Sequence, residues 1–193
     1  IENILLHQAG LTPFIPFYKE TIDSSGNPNP ALYAIAKNDS FSIRVAENLF
    51  LRKDWNDTMY SRILQSPLGI TGKYVYSDND FIFLAKVVEA ITGTTLDQYV
   101  KKYFYQPLGL TTAGFKPRAY LPLKRIAPSE QEPVFRKQLI RGDVHDPGAA
   151  MFGGVAGHAA VAGGHVAVAK VELHHLDAGG LGGLDHLFQV KGG

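Results

Sequence analysis

The sequence predicts a mainly helical domain with short extended segments. Two stretches between residues 80 and 107 have apolar side chains at helical spacing, whereas residues 114–147 carry many prolines and charges without a sustained period. The chain has 193 residues, of which 45% are hydrophobic, so it can bury a substantial core. We expect one domain or most of one, with a long loop at 114–147 that is functional or wraps another element.

The first half of the chain predicts three helices and a turn-rich loop. The opening "IENILLHQAGL" is typical of the end of a helix, with Gly10 as its stop signal. The segment "ETIDSSGNPNPALY" collects turn-forming residues and predicts an exposed loop. A second helix is expected over 42–50 with Ser42 as N-cap, and a third over 57–65, ended by Pro67.

A clear helical pattern begins near the stretch "YSDND" and ends at Gly93. Its apolar residues have the three-four spacing of a buried stripe. The stripe consists of Phe81, Leu84, Val87, Val88 and Ile91. Thr95 and Gln98 have capping-box spacing for a further helix, which Pro107 ends. The predicted inner face of that helix consists of Leu96, Tyr99, Val100, Tyr103 and Phe104.

Composition argues against several classes of function. The formal net charge of +1 gives no electrostatic reason to expect a nucleic-acid partner or an anionic membrane. The absence of cysteine excludes disulfides, thiolate zinc sites and cysteine nucleophiles within this sequence. No apolar run approaches the roughly 18 to 20 residues that span a bilayer. Because the sequence begins without Met and inside a helical pattern, we expect it to be part of a larger protein.

The composition changes after Ala149, where 11 of the 20 glycines and 5 of the 7 histidines lie. This narrow alphabet indicates either a Gly/Ala-rich helix and turn or residues that were assigned without a secure sequence. Two histidine groups suggest a metal site, namely His174 and His175 with Asp177, and His145 with Asp146. Adjacent side chains on a helix point about 100° apart and cannot readily share one ion. We therefore expect no metal and no other cofactor.

A search for catalytic motifs finds no complete nucleophile signature. No Ser or Thr has a Lys three residues later, and G-x-S-x-G, K-T-G and H-T-G do not occur. The glycines of "GGVAG" lack the Lys and Ser or Thr of a phosphate-binding loop. The tripeptide "RGD" at 141–143 predicts only a solvated turn, and His7 is expected to cap or brace the end of its own helix.

The densest group of polar side chains is Tyr76, Ser77, Asp78, Asn79 and Asp80. As a structural element, Ser77 or Asp78 would cap a helix that begins near Asp80. As a catalytic element, the literal Ser-Asp-Asn would make Ser77 the reactive residue, whereas a variant of Tyr-x-Asn would give that role to Tyr76. The five residues by themselves leave these interpretations open.

The flanks of this group carry a resemblance to a known family. The segment "YSDNDFIFLAKVVEAITGTTLDQYVKKYFYQPLGLTTAGF" closely resembles the Tyr-Ser-Asn segment of the class C β-lactamase, D-Ala-D-Ala carboxypeptidase and esterase family. "LLHQAGL" is similar to that family's "LLTHTSGL", and "GGVAGHAAV" is similar to its "G.AGHAGLFST". The resemblance covers residues 1–115 well and 140–193 more loosely.

The resemblance implies an α+β fold, and within it an incomplete β-lactamase/transpeptidase-like domain that is mainly the helical subdomain. The family's S-x-x-K helix would lie upstream of Ile1, and its K-T-G or H-x-G strand downstream of Gly193. Residues 1–193 are thus expected to be a partial serine hydrolase domain. The implied substrate is an amide or ester acyl group, such as a peptidoglycan peptide or β-lactam, in the periplasm or cell envelope.

The resemblance also assigns roles to the polar group. Tyr76 would handle the proton, and Asp78 would occupy the family's Asn position, with Ser77 and Asn79 as support. The family's Asn has a neutral amide that donates and accepts hydrogen bonds, whereas an ionised Asp78 can only accept them. This difference argues against β-lactam hydrolysis. Within the family, the sequence looks most like modules of Bacteroidetes fused behind family 3 glycoside hydrolases. The alternatives are a catalytically silent module that binds cell wall or supports such a glycosidase, and a plain helical interaction domain.

Overall fold

The computed structural model describes residues 1–159, which form five α-helices, five strands and several single turns of other helix types. The helices are α1 (Glu2–Leu5), α2 (Trp55–Gln65), α3 (Asp78–Thr92), α4 (Leu96–Val100) and α5 (Pro147–Met151). The strands are β1 (Tyr33–Ala34), β2 (Phe41–Ala46), β3 (Leu49–Arg52), β4 (Pro128–Glu132) and β5 (Gln138–Arg141). Turns of 3-10 helix lie at Phe17–Thr21, Pro117–Ala119 and Leu123–Arg125. This mixture of helices and small sheets agrees with the predicted α+β class.

The three-stranded sheet replaces one of the predicted helices. Its strand order is β1-β3-β2, and both pairings are antiparallel. The helix expected over 42–50 is therefore wrong, because this stretch forms the β2–β3 hairpin. Asn48 turns the chain with a φ of 51°, and the core side of β3 is set by the alternating residues Leu49 and Leu51. The alternation of apolar and polar residues from Phe41 onward is the signal for a strand.

One hydrophobic core joins the sheet to the helices and to the β4–β5 hairpin. It is built from fully buried side chains of several elements, including Leu51 of β3, Met59 of α2, Ile140 of β5 and Met151 of α5. Each such side chain contributes about 1.5 to 3 kcal/mol by leaving water. The sequence from 114 to 147 wraps this core with short turns and the β4–β5 hairpin, as predicted.

Helix α2 confirms the helix predicted over 57–65, and α3 confirms the one that ends at Gly93. Gly93 has the left-handed φ of 63° that closes a helix, and its N–H donates to the Glu89 carbonyl. The predicted buried stripe of α3 is wrong, however, since Ile91 is 75% exposed and the buried apolar residues are Ile82 and Ala85. The buried face continues the line of Asn79 and Asp80, so these polar residues set the rotation of the helix.

The helix predicted between Thr95 and Pro107 is present in a shorter form. Helix α4 continues into a wider π-helical turn at Lys101–Tyr105, and Thr95 makes no side-chain cap. None of the residues predicted for its inner face is buried within the described part of the chain. The predicted Gly/Ala-rich helix and the group of His174, His175 and Asp177 lie outside the described residues. Among residues 1–159, no helix combines the length and hydropathy that crossing a bilayer requires.

Two segments that are distant in sequence lie side by side, and we call them the anchor segment (7–13) and the cluster segment (69–80). Four backbone hydrogen bonds of 2.7 to 2.9 Å join them. The donors are the amides of Gly69, Gly72, Val75 and Asp78, and the acceptors are the carbonyl oxygens of Gly10, Gln8, His7 and Pro13. These bonds fix the chain that leads into α3.

Gly10 belongs to this junction and is not the predicted stop of the first helix. Helix α1 ends at Leu5, and the chain turns at His7, which has a φ of 53°. Gly10 has a φ of 80°, and a Cβ added there would lie 2.7 Å from the carbonyl oxygen of Gly69. The two segments can approach this closely only because position 10 carries no side chain.

We expect Gly10→Ala to lower the free energy of unfolding by about 1 to 3 kcal/mol, because the new methyl group forces the two segments apart. Gly69→Ala is the matched control across the same contact, since its Cβ would lie 3.5 Å from the Gly10 oxygen, an ordinary distance. Urea unfolding of both variants measures the difference. Equal costs for the two substitutions would contradict this account of the junction.

Candidate active site

The carbonyl oxygen of Thr12 holds the start of α3. It accepts a hydrogen bond from the Ser77 hydroxyl at 2.9 Å and another from the Asn79 side-chain amide at 2.6 Å. Both donors are buried, with Ser77 0% and Asn79 1% exposed. Ser77 occupies the N-cap position of α3 but makes no side-chain cap, because its hydroxyl is committed to Thr12. The predicted capping bond is therefore wrong, although the position was right.

His7 and Asp80 form a buried pair beneath the cluster segment. The Nδ1 atom of His7 lies 2.9 Å from Oδ2 of Asp80, and the backbone N–H of Ser77 donates to the same nitrogen at 3.2 Å. Asp80 is 1% exposed and His7 is 8% exposed. His7 closes its own helix end through its backbone, whose N–H donates to the Ile4 carbonyl at 3.1 Å, but its side chain pairs with Asp80, 73 residues away on α3.

The protonation of Asp80 is shifted by this environment. Burial raises the pKa of the Asp80 carboxyl above its ordinary value, and the hydrogen bond and charge of His7 offset that rise only in part. The Oδ1 atom of Asp80 is buried without a hydrogen-bond partner among residues 1–159. Both observations favour the neutral acid, which needs fewer donors around it than a carboxylate does.

Tyr76 is the exposed member of the polar group. Its side chain is 53% exposed, and its ring lies on that of His7, with 4.6 Å between the ring centroids. On its own segment Ser77 points inward, Asp78 is half-buried at the first position of α3, and Tyr74 contacts the edge of the same His7 ring. The fold thus presents a phenol, which can both donate and accept a proton, above a buried imidazole and carboxyl.

The segment just before Tyr76 in the sequence carries several exposed apolar side chains. Leu68, Ile70 and Tyr74 are each more than half exposed, and Val75 is also exposed. Most exposed apolar residues on a protein are scattered singly, whereas these four fall within eight positions of one segment. An apolar part of a ligand, or another protein segment, would bury apolar surface favourably against these side chains.

The other polar residues that the sequence suggested as functional make structural contacts within the fold. Asp143 of the "RGD" tripeptide does not lie in a solvated turn, because its carboxylate binds Arg44 at 2.8 Å and Arg118 at 3.2 Å. Asp146 caps α5 through the amide of Ala149 and contacts His158, so it braces a helix. Among residues 1–159, no group of three or more potential metal ligands lies together.

Sequence reasoning missed the two contacts that organise this site. Thr12 acts through its backbone carbonyl, which leaves no trace in residue identity. In the prediction from sequence, Asp80 only marks where a helix begins, although a carboxylate followed directly by Phe81, Ile82 and Phe83 indicates burial and hence a partner. Only His7 and His145 supply imidazoles before the glycine-rich tail, so the pairing could have been proposed.

Comparison with known proteins identifies relatives of the chain. The family model "Beta-lactamase" matches residues 1–180. A "Putative D-alanyl-D-alanine carboxypeptidase" of Escherichia coli (strain K12) is 36% identical over 123 residues, which cover 57% of this chain and 28% of that protein. A protein of the same name from Salmonella enteritidis PT4 (strain P125109) is 33% identical over 162 residues, or 76% of this chain and 37% of that protein. No solved structure matches the chain.

These matches confirm the resemblance that the polar group and its flanks suggested. The chain spans well under half the length of the relatives it matches. Their names mention no glycoside hydrolase, and their organisms are not Bacteroidetes. The fused glycosidase and the link to that phylum therefore stay predictions.

The raised pKa of Asp80 predicts a pH dependence of stability. An acid whose pKa is higher in the folded state favours folding most below its unfolded pKa of about 3.8, and this contribution is lost as the pH rises through the folded pKa. The free energy of unfolding of the parent chain should therefore fall relative to that of Asp80→Asn as the pH is raised from 3 towards neutrality. Denaturant unfolding across this range tests it, and a parent chain that gains on the variant with rising pH would show a lowered pKa instead.

Proposed function

The chain belongs to the beta-lactamase family, and from this membership we propose that it is part of a serine hydrolase in which Tyr76 handles the proton of the reaction. In such a reaction a serine attacks an acyl carbonyl, a base accepts the serine proton, and the same group returns it to the leaving group. One observation carries the assignment to Tyr76. It is the only one of the five polar side chains that is mostly exposed while its support is buried.

The contacts of Ser77 support Tyr76 over the Ser-Asp-Asn interpretation. A proton shuttle must reach the substrate or the nucleophile within hydrogen-bond distance. The Ser77 hydroxyl is fully buried and donates to Thr12. For Ser77 to act, this bond would have to break and the start of α3 would have to turn outward. Ser77 and Asn79 are therefore proposed as supports that hold the cluster segment in place.

Asp78 sets the electrostatic conditions for Tyr76. A phenol has a pKa of about 10 and keeps its proton at neutral pH unless a cation lowers that pKa or the proton is shared. Asp78 is the half-buried first residue of α3, two positions from Tyr76, and a carboxylate there opposes loss of the phenol proton. Loss of the Tyr76 proton then requires a nearby cation, and we propose the lysine of the family's S-x-x-K motif for this role.

We further propose that the serine and this lysine lie in sequence outside residues 1–193. The chain contains no Ser or Thr with a Lys three residues later, and it covers 28% and 37% of the two relatives. Residues 1–193 would then be the part of the domain that supplies Tyr76, and the K-T-G or H-x-G strand would also come from elsewhere.

The proposed substrate is an acyl amide or ester, with a peptide ending in D-alanyl-D-alanine favoured by the names of the relatives. β-Lactams and simple esters carry the same acyl carbonyl and are the other members of this class. Peptidoglycan peptides would place the protein in the periplasm or cell envelope. Because Asp78 stands where the family has Asn, we expect β-lactam turnover to be the weakest of these activities.

The alternative is a catalytically silent module that binds cell wall or supports a fused glycoside hydrolase. It is favoured by Asp78 and by the exposed apolar side chains before Tyr76, which suit a binding surface. The sequence upstream of Ile1 separates the two proposals. An S-x-x-K on a predicted helix favours the enzyme, and its absence favours the silent module.

Substitution of Tyr76 tests the central role in a protein that carries this chain together with its nucleophile. Tyr76→Phe keeps the ring and removes the hydroxyl, so acylation should fall about 10²- to 10⁴-fold if Tyr76 is the general base. Tyr74→Phe is the matched control, because it removes a hydroxyl from another exposed ring that contacts His7. The rate of acylation by an ester or a D-alanyl-D-alanine peptide is the measurement.

Ser77→Ala completes this series of variants. It should leave acylation within a few fold of the parent and lower stability by about 0.5 to 1.5 kcal/mol, the ordinary value of one hydrogen bond. If Ser77→Ala abolishes acylation while Tyr76→Phe leaves it intact, the Ser-Asp-Asn interpretation replaces ours. If neither substitution changes acylation, the polar group serves only to start the helix, and if the parent itself acylates none of these substrates, the silent module takes the place of the enzyme.

The 193-residue chain alone should form no acyl-enzyme, because it contains no pair of nucleophile and lysine. Incubation with a fluorescent penicillin and with a fluorophosphonate, followed by intact mass measurement, checks this. A stoichiometric adduct on a serine of residues 1–193 would show that the nucleophile lies within the chain and would overturn the proposed division of the domain.

A further inference from the structure

The Nδ1 atom of His7 has two polar neighbours that make opposite demands on it. The backbone N–H of Ser77 points at this nitrogen from 3.2 Å and requires a lone pair there. Oδ2 of Asp80 lies 2.9 Å from the same nitrogen. An imidazole nitrogen carries either a hydrogen or one lone pair in the ring plane, so the Ser77 N–H has an acceptor there only if Nδ1 carries the lone pair.

If Nδ1 carried a hydrogen, it could donate to an Asp80 carboxylate, but the Ser77 N–H would then face another N–H. The Ser77 amide is buried, so this arrangement would leave a buried donor without an acceptor. It would also leave Oδ1 of the charged carboxylate without a donor among residues 1–159. Each unsatisfied group costs free energy because it is buried, and together they disfavour a hydrogen on Nδ1 that faces an Asp80 carboxylate, whether or not the imidazole is charged.

If Nδ1 carries the lone pair instead, it accepts from Ser77, and Asp80 must bring its own hydrogen. Asp80 then donates from Oδ2 as a neutral carboxylic acid, and the hydrogen of the neutral imidazole lies on Nε2. This arrangement uses the Ser77 amide and places no charge in the buried space. The direction of the Asp80 pKa shift agrees with it.

We propose that Asp80 is a neutral acid which, together with the Ser77 amide, fixes His7 in the tautomer protonated on Nε2, and that His7 is a positioning residue for Tyr76. The second half of this inference rests on the proposed function, whereas the first half does not. The ring of His7 is fixed through Nδ1 and lies against the ring of Tyr76, with 4.6 Å between centroids. The phenol is thereby held at the surface by a support that cannot rotate freely.

The neutrality of the pair matters for the reaction. The charged groups on α1, the cluster segment and α3 are Glu2, Lys73, Asp78, Asp80 and the pair Lys86 and Glu89, which bind each other at 2.9 Å. A second carboxylate beside Asp78 would oppose loss of the Tyr76 proton still further. A neutral Asp80 keeps the rigid support without adding that negative charge.

The tautomer can be measured directly on the 193-residue chain, independently of any catalysis. The chain is labelled with ¹⁵N in its histidine rings, and two-bond ¹H–¹⁵N spectra distinguish protonated from bare ring nitrogens. The signals of His7 are those that disappear in His7→Asn. We expect Nδ1 bare and Nε2 protonated at neutral pH. A protonated Nδ1, alone or together with Nε2, would overturn the proposal.

Asp80→Asn separates the neutral acid from an ion pair. The carboxamide can donate an N–H to Nδ1 as the acid does. The His7 tautomer should therefore be unchanged, and the acylation rate should stay within about twofold of that of the parent. An ion pair predicts the opposite, because the amide carries no charge to hold an imidazolium. Loss of the tautomer signature or a large loss of rate in Asp80→Asn would therefore contradict the neutral acid.

His7→Asn tests positioning. Asn can place an acceptor near the position of Nδ1 for Ser77 and Asp80, but it removes the ring beneath Tyr76. We expect kcat for acyl transfer to fall about 10- to 100-fold with little change in KM, the usual size for a misplaced catalytic group. An unchanged kcat in a folded variant would overturn the positioning role. If instead Tyr76→Phe proves silent while the tautomer is found as expected, the proposed function fails and the neutral acid stands.

Discussion

The carbonyl oxygen of Thr12 is the contact on which the candidate site depends. It takes one hydrogen bond from Ser77 and one from Asn79, two side chains that would otherwise be buried donors without acceptors. Because Thr12 lies in the anchor segment and both donors lie at the start of α3, this one atom ties together parts of the chain more than sixty residues apart. The backbone bonds between the anchor and cluster segments extend the same junction.

The junction determines which side chains face the core and which face solvent. Once Asn79 and Asp80 turn inward, the helical repeat brings Ile82 and Ala85 to the core and leaves Ile91 in water. Polar contacts at the first turn thus set the rotation of a helix whose apolar stripe predicted another face. The residue just before the inward-facing Ser77 is exposed, and that residue is Tyr76. The exposure of the phenol and the burial of its support are two results of one constraint.

The sequence predicts local structure well where local signals dominate. Helix α2 ends before Pro67, and α3 ends at Gly93 with the expected left-handed turn, because proline and glycine act within a few residues of themselves. The stretch over 42–50 fits both the helical and the strand period in part. It forms a hairpin because β2 pairs with β3, and β3 also pairs with β1, a partner that no local pattern reveals. The flanks of Tyr76 favour it as a site residue, but the pairs His7–Asp80 and Arg44–Asp143 join residues 73 and 99 positions apart. Such pairs depend on tertiary structure and leave only weak traces in one sequence.

The most direct measurement is a crystal structure of the complete protein with its serine trapped as an acyl-enzyme. The account predicts that the Tyr76 hydroxyl lies within about 2.6 to 3.2 Å of the serine oxygen, the distance that proton transfer needs. It also predicts that the Ser77 hydroxyl remains bonded to Thr12. A Tyr76 hydroxyl far from the acylated serine, or a Ser77 hydroxyl turned outward to meet it, would contradict the account.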